Sequence, residues 1–389
     1  MKATDLLIEI EKLGRNQATM GYRRYSWTEA DRELRDWFCK EAAARNFSVE
    51  ADGNGNLWAY RGDPAKGHVV ATGSHLDSVP DGGPFDGPLG IASVWAALDL
   101  LDEQAVELRR PVAVVAFVEE EGARFGVPCL GSRLLTGAMD PQRASVLTDA
   151  KGITWPEAMR QAGQDPSLLG PDKELLSQTG CFVELHIEQG RALEPLDAPI
   201  GIGTEIWPHG RWRLTFEGEA NHAGTTSMEE RNDPMPRMAT TVLEVTETAQ
   251  SIGARATVGR LQVEPNGTNA ISSRVTAWLD ARAENQSILD ELVARLPDES
   301  VLVESHSPAV AFDPVLQQRI SEVLGSPPHL PTAAGHDAGI LQSAGIPTAM
   351  LFVRNPSGVS HSPLEHADPD DIDAGVMALA KVITDLAGS

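Results

Sequence analysis

At 389 residues the chain is longer than one compact core usually holds, and two domains are the expectation. Its make-up, 41% hydrophobic and 23% charged, is that of an ordinary globular protein. Acidic residues outnumber basic ones 56 to 32, a formal charge of −24. Such a field repels phosphate backbones and anionic lipid and so excludes nucleic acid and membrane surfaces as partners. An anionic small molecule read by a local arginine or metal charge stays admissible.

The opening residues, MKATDLLIEIEKLGR, place Leu6, Leu7, Ile10 and Leu13 at helical spacing among Asp5, Glu9 and Glu11, and so read as an amphipathic helix rather than a leader. No run approaches the roughly 18 apolar residues a membrane span needs. Cys39, Cys129 and Cys181 are far apart with no CxxC pair, which reads as buried thiols in a reducing compartment, the cytoplasm by default. Strand-like HVVATGSH (68–75) precedes helix-like PLGIASVWAALDLLDE (88–103), and VAVVAFVEEEG (112–122) and CFVELHIEQG (181–190) are further strand-like runs. The Asp-, Pro- and Gly-rich segment 138–180 reads as surface helices and loops. Alternating strands and helices predict an α/β fold with a helix-covered, mainly parallel sheet, whose ligands gather beyond the carboxyl ends of the strands.

After IGIGTEI (200–206) the texture changes. Strand-like 212–218, a helix over 235–250, strands 256–263 and 274–282, a helix near 286–295 and strand 301–306 predict an antiparallel sheet with two helices. Residues 207–312 are therefore expected to form an inserted, smaller α+β domain, with residues 1–206 and 313–389 forming the first. From Pro314 onward the first pattern resumes, with IPTAMLFV (346–353) as another buried strand.

The unusual polar residues sit at the predicted strand ends. In GSHLDSVPDGGPFDGPLG (73–90), His75 and Asp77 flank one residue and Asp86 follows in a loop whose glycines let the backbone fold back toward His75. Imidazole nitrogen and carboxylate oxygen suit zinc, and also manganese or cobalt. An aspartate two residues from a ligand histidine can accept its second N–H. Three glutamates, Glu119, Glu120 and Glu121, close a strand that otherwise reads VAVVAFV, and like charges crowded there repel unless a cation compensates them. One of the three can ligate metal while a neighbour acts as general base, and residue chemistry alone does not choose among them. His186 lies among Val183, Leu185 and Ile187, and His361 and His366 lie in a polar loop before the last helix. Singly, each histidine reads as a core or surface residue and the glutamates as a solvated loop. Their recurrence at strand ends of one sheet favours a metal site.

Taken in order, GSHLDSVPDGGPFDGPLG, EEEGARFG, ELHIEQG, NHAGTTSM, GTNAIS, GHDA and SGVSHSPLE resemble the hydantoinase/carbamoylase branch of the M20 metallopeptidase-like amidohydrolases, from about residue 20 to the end. The resemblance implies two divalent metal ions, zinc first, bridged by Asp86. It places His75 and His361 on one side, and Glu121 and His186 on the other. It also implies Glu120 as general base, Asp77 as partner of His75, and His222 as the group that polarises the scissile carbonyl, often from a partner subunit. Asn269 and Arg282 would hold a substrate carboxylate, a task suited to a guanidinium. Gln189, Ser357 and Gly358 would line the pocket.

The resemblance thus implies a homodimer that hydrolyses the C–N bond of a ureido acid, such as an N-carbamoyl-L-amino acid or allantoate. A dipeptidase or aminopeptidase of the same superfamily is the alternative, disfavoured by histidine at 186 and Gln189. A catalytically silent metal-binding relative is disfavoured by the retained Glu120. Ser227 stands where the branch commonly has proline, and Pro234 and Pro236 are expected to interrupt the start of the helix that follows.

Overall fold

The computed structural model describes residues 1–297 and 300–388. They form two compact units, Met1–Glu205 with Ala311–Ser389, and Ile206–Val310. In chain order the first unit contributes β1 (Ser48–Ala51), β2 (Leu57–Arg61), β3 (Val69–His75), β4 (Val112–Phe117), β5 (Thr179–Ile187) and β6 (Ile200–Ile206). The second holds β7 (His209–Glu217), β8 (Asn221–His222), β9 (Arg255–Glu264), β10 (Ala270–Ile271), β11 (Arg274–Arg282) and β12 (Val301–Ser307). The chain then returns through β13 (Val310–Ala311), β14 (His329–Thr332) and β15 (Thr348–Val353).

The large sheet runs β1-β2-β4-β3-β5-β15-β6-β13, with β14 beside β6. Its centre is parallel, since β3 pairs with both β4 and β5, and β5 with β15, in one direction. Antiparallel pairings flank it, β2 on β4 and β6 on β15. The central strands VAVVAF and TAMLFV are buried at every position, the continuous apolar run of a strand covered on both faces. Helix Pro88–Glu103 is buried around almost its whole circumference and packs against β3, β5 and the last helix, Pro369–Gly388.

Residues 138–180 are mostly exposed short helices and loops, as expected, but they also close a core that was not. Short helices Pro141–Ser145 and Trp155–Gln161, with Leu130–Thr136 before them, build a second core around Trp27, Phe125, Leu134 and Trp155. Trp155 is fully buried and meets the rings of Trp27 and Phe125 edge-on at 5.3 and 5.0 Å. Apolar residues spaced among Pro and Gly carry too little periodicity to reveal such a core in the sequence. Cys129 and Cys181 are buried free thiols, whereas Cys39 is only half-buried. No helix among the described residues is long and apolar enough to cross a membrane.

The second unit is an antiparallel sheet, β12-β7-β11-β9, with helices Pro234–Ile252 and Gln286–Val293 contributing to its core. Strand β7 alternates cleanly, Trp212, Leu214 and Phe216 facing inward, so one face of the sheet is apolar. The prolines at 234 and 236 do not interrupt the helix. Pro234 is its first residue, and the Asp233 side chain caps Met235 N. First-turn N–H groups have no intrahelical acceptor, so a proline there costs nothing.

Replacing Trp155 by Ala should lower stability by about 3–5 kcal/mol, the usual cost of emptying a large buried aromatic site. A urea midpoint equal to wild type would show that this second core contributes nothing.

Candidate metal centre

The parallel strands end on one side of the sheet, and their ends carry the polar cluster. His75 is the last residue of β3, Glu119–Glu121 follow β4, His186 is the penultimate residue of β5, and the loop after β15 holds His361. Register pairs Gly73 with Glu184, so two residues later His75 and His186 stand side by side, ring centroids 5.9 Å apart. Asp86 returns to them because Gly87 adopts φ +85°, and a Cβ at that position would lie 2.5 Å from the His75 ring.

The imidazoles are oriented by backbone. His75 Nδ1 lies 3.0 Å from the Asp77 carbonyl and His186 Nδ1 lies 2.8 Å from the Ile187 carbonyl. A carbonyl only accepts, so each Nδ1 carries the proton and each Nε2 presents its lone pair to the site. Those two Nε2 atoms lie 3.5 and 3.2 Å from Asp86 Oδ1. On the other side, His361 Nε2 lies 3.4 Å from Asp86 Oδ2 and 3.6 Å from Glu121 Oε2.

Ligand atoms of His75, Asp86 and His186 all fall within 4.8 Å of one another, and so do those of Asp86, Glu121 and His361. The pairing corrects the expected one: His75 goes with His186, not His361, because neighbouring strands carry the first two. Buried His75 Nε2, His186 Nε2 and Glu121 Oε1 have no hydrogen-bond partner, although buried polar atoms normally do. An N/O donor set with unused lone pairs converging on a shared carboxylate fits divalent cations. A third group, Glu184, His186 and His336, also satisfies the distance condition, but it draws on the same His186.

Asp77 meets His75, and mainly through its backbone. His75 takes the Asp77 carbonyl at 3.0 Å, whereas the carboxylate Oδ1 stands at 3.5 Å. The carboxylate instead accepts the backbone N–H groups of Glu120 and Glu121, both at 3.1 Å. Glu119 turns away from the site: at φ +56° it accepts from the amides of Arg124 and Phe125. Such a strained backbone persists only where its surroundings hold it. Here it leaves Glu120 and Glu121 facing the histidines. Glu120 Oε2 lies 3.8 Å from His75 Nε2, and Glu120 belongs to none of the three groups.

Electrostatics follow from crowding. Burial would raise Asp86, but the surrounding His186, His361 and His75 imidazoles, in their protonated form, outweigh it and hold the carboxylate well below its ordinary range. Burial pushes Glu120 well up, with Asp337 and Glu121 adding to it, and burial and the Asp86 charge push Glu121 up to about 7. His361 rises to about 9, because Asp86 and Glu121 outweigh its desolvation.

Of the remaining expected residues, Gln189 Nε2 donates to Asp86 Oδ2 at 2.8 Å, and Ser357 and Gly358 form a turn around Asn355 Oδ1 in the loop that leads to His361. His366 lies outside the cluster, paired with Asp368 at 3.0 Å. In the second unit, β8 pairs with β10 so that His222 sits opposite Ala270, and Ala223 N donates to the Asn269 carbonyl. His222 Nδ1 accepts from the amides of Gly224 and Thr225 at 3.0 and 3.2 Å, which leaves the neutral ring an exposed Nε2–H donor. Arg282 ends β11, with Nε 2.8 Å from Asp280 Oδ1. The residues not foreseen are Asn355, Ser360, Glu365 and Asp337; the glutamate of SPLE, four positions after His361, was the available signal for one of them.

His361 and Glu121 must lose protons to bind a cation. Zinc affinity of the metal-free protein should therefore fall as pH drops from about 9 to about 6, through the two values given above. Competition with a chromophoric chelator measures it, and a flat profile would remove these two side chains from the site.

Residues 71–385 match the peptidase family M20/M25/M40. An N-carbamoyl-L-amino acid amidohydrolase of Geobacillus stearothermophilus is 37% identical, over 98% of this chain and 97% of its own length. An allantoate amidohydrolase of Bacillus subtilis (strain 168) is 31% identical, over 91% of each chain. Among solved structures, an amidase of the hydantoinase/carbamoylase family from Burkholderia vietnamiensis superposes with a TM-score of 0.91 at 30% identity, covering 100% of this chain and 97% of that one. A family match over most of the chain, full-length relatives and a shared fold agree: the chain belongs to peptidase family M20/M25/M40, as an amidohydrolase of its hydantoinase/carbamoylase branch.

Proposed function

We propose that the protein hydrolyses the C–N bond of a ureido acid, an N-carbamoyl-L-amino acid or allantoate, with two divalent ions, zinc in the first instance, and Glu120 as general base. The observation that carries this reading is Asp86, one oxygen toward His75 and His186 and the other toward His361, with Glu120 close by but outside either set of ligands. The names of the relatives above supply the substrate class. His75, Asp86 and His186 would hold one ion, and Asp86, Glu121 and His361 the other; when bound, such ions polarise a carbonyl and lower the pKa of water from about 16 toward about 7.

Glu120, raised by burial, would take the proton from the attacking water and return it to the leaving nitrogen as the C–N bond breaks. Asp77 keeps that carboxylate in place through the amides of Glu120 and Glu121. For a carbamoyl acid the products are the amino acid, carbon dioxide and ammonia. Gln189, on Asp86, and the Ser357–Gly358 turn would line the pocket.

To the second unit we assign the lid and dimer contact. His222, as an Nε2–H donor, would stabilise the developing oxyanion, a contribution of roughly 3 kcal/mol for a well-placed group. Asn269 and Arg282 would read the substrate carboxylate. Within that unit, His222 and Asn269 lie by the Arg274 end of β11, and Arg282 closes the other end, about 26 Å away for a strand of this length. One copy could not bring both ends to one small substrate, and this favours a homodimer in which His222 and Asn269 serve the partner copy.

Glu120→Gln should abolish turnover while metal content stays at the wild-type level, and retained turnover would remove the base assignment. A panel of carbamoyl amino acids, allantoate and dipeptides, read by ammonia and amine release, tests the substrate class; dipeptide cleavage alone would refute it. Mixing Glu120→Gln with His222→Ala chains under subunit exchange should restore activity that neither has alone. No restoration would mean that His222 does not act across a dimer.

A further inference from the structure

Two irregular loops, 76–87 and 354–368, supply Asp86 and His361 to the same ligand set from opposite ends of the chain. Nothing in either loop's own backbone pattern ties one to the other. The tie is Glu365. Its buried carboxylate accepts the amides of Phe85 and Asp86 through Oε2, at 2.8 and 2.9 Å. Its other oxygen meets Ser360 Oγ at 3.4 Å, and that hydroxyl also reaches Asp86 Oδ2 at 3.2 Å, the oxygen that faces His361. The first loop wraps closely around this side chain: a Cβ on Gly83 would stand 2.4 Å from Glu365 Oε2 and 2.5 Å from its Cβ.

We propose that Glu365 is a positioning residue for the metal centre, locking the Asp86 loop onto the His361 loop so that Asp86 Oδ2, Glu121 and His361 form one ligand set. This rests on the metal reading under Proposed function. A carboxylate at this place costs something, since it sits beside the negative Asp86 in a buried site. Its two backbone acceptor bonds offset part of that cost, and the one Ser360 hydroxyl proton is shared between it and Asp86. Supporting bonds of this kind typically carry 10- to 100-fold of metal affinity or activity. Among the described residues Glu365 makes no ion pair with His361, although its charge bears on that imidazole, so the test has to separate geometry from charge.

The test compares wild type, Glu365→Gln, Glu365→Ala and Gly83→Ala, each full length. Zinc affinity is read by chelator competition, kcat and KM on the best ureido acid, and amide hydrogen exchange at Phe85 and Asp86 on metal-free protein. Glu365→Ala should lose about 10- to 100-fold in affinity for the weaker zinc and in kcat, with KM little changed, and the two amides should exchange faster. Gly83→Ala, which pushes a methyl into the same carboxylate, should reproduce this. Glu365→Gln, whose amide oxygen can still accept both N–H groups, should recover most of it. Wild-type affinity and kcat in Glu365→Ala and Gly83→Ala overturn the proposal. So does damage in Glu365→Gln equal to that in Glu365→Ala with its amides still protected, because charge and not the clamp would then be at work. If the wild type takes up no zinc, the metal reading falls, and exchange alone decides: unchanged protection in Glu365→Ala overturns the clamp, and lost protection supports it.

Discussion

The first unit is organised around an excess of buried negative charge at the carboxyl ends of its parallel strands. Asp77, Asp86, Glu119, Glu120, Glu184, Asp337 and Glu365 are all buried there or in the loops beside them. Isolated carboxylates in such a place would be prohibitive, and each must find a donor, a proton or a cation. Backbone amides meet both oxygens of Asp77 and one oxygen each of Glu119 and Glu365; Ser132 meets one oxygen of Asp337; Ser74 meets Glu184. Beside them Glu121 Oε1 has no partner, and Asp86, although Gln189 and Ser360 reach one of its oxygens, faces three imidazoles together with Glu120 and Glu121. Electrostatics and chemistry thus point to the same few side chains.

Rigidity of that arrangement comes from the sheet. Parallel pairing sets the stagger of β3 against β5, and with it the spacing of His75 and His186, before any side chain contributes. The tautomers follow from two backbone carbonyls that can only accept. Loops supply the rest, and each is held by a carboxylate that accepts consecutive amides: Asp77 for the Glu120–Glu121 pair, Glu365 for Phe85 and Asp86. The same device appears twice, once at Glu120 and once at Asp86. In both cases precision is transferred from one segment to another across a long stretch of chain.

The inserted unit shows another logic. Its sheet alternates apolar and polar faces, leaving one face for two helices, and its candidate substrate readers stand at opposite ends of a nine-residue strand. Asp280 holds Arg282 and also lies near Arg211, so the Arg282 guanidinium is fixed in direction.

Much of this was legible in one dimension. Strand β11 coincides with the predicted run 274–282, and the helix after Asp233 with its predicted centre, because alternation and capping are local properties of a sequence. The residues of the cluster were legible as well, because charge and imidazole at the end of an apolar strand conflict with local burial wherever they occur. Order along the chain could not say which histidine shares a cation position with which, that Asp77 would use its carbonyl on His75 and its carboxylate on two distant amides, or that Glu365 would reach back 279 positions to Asp86. Nor could it reveal the core around Trp155. Those are matters of register, packing and the direction of backbone N–H groups, which exist only once separated segments meet. The sequence by itself determined which groups needed partners; tertiary structure decided which partners they received.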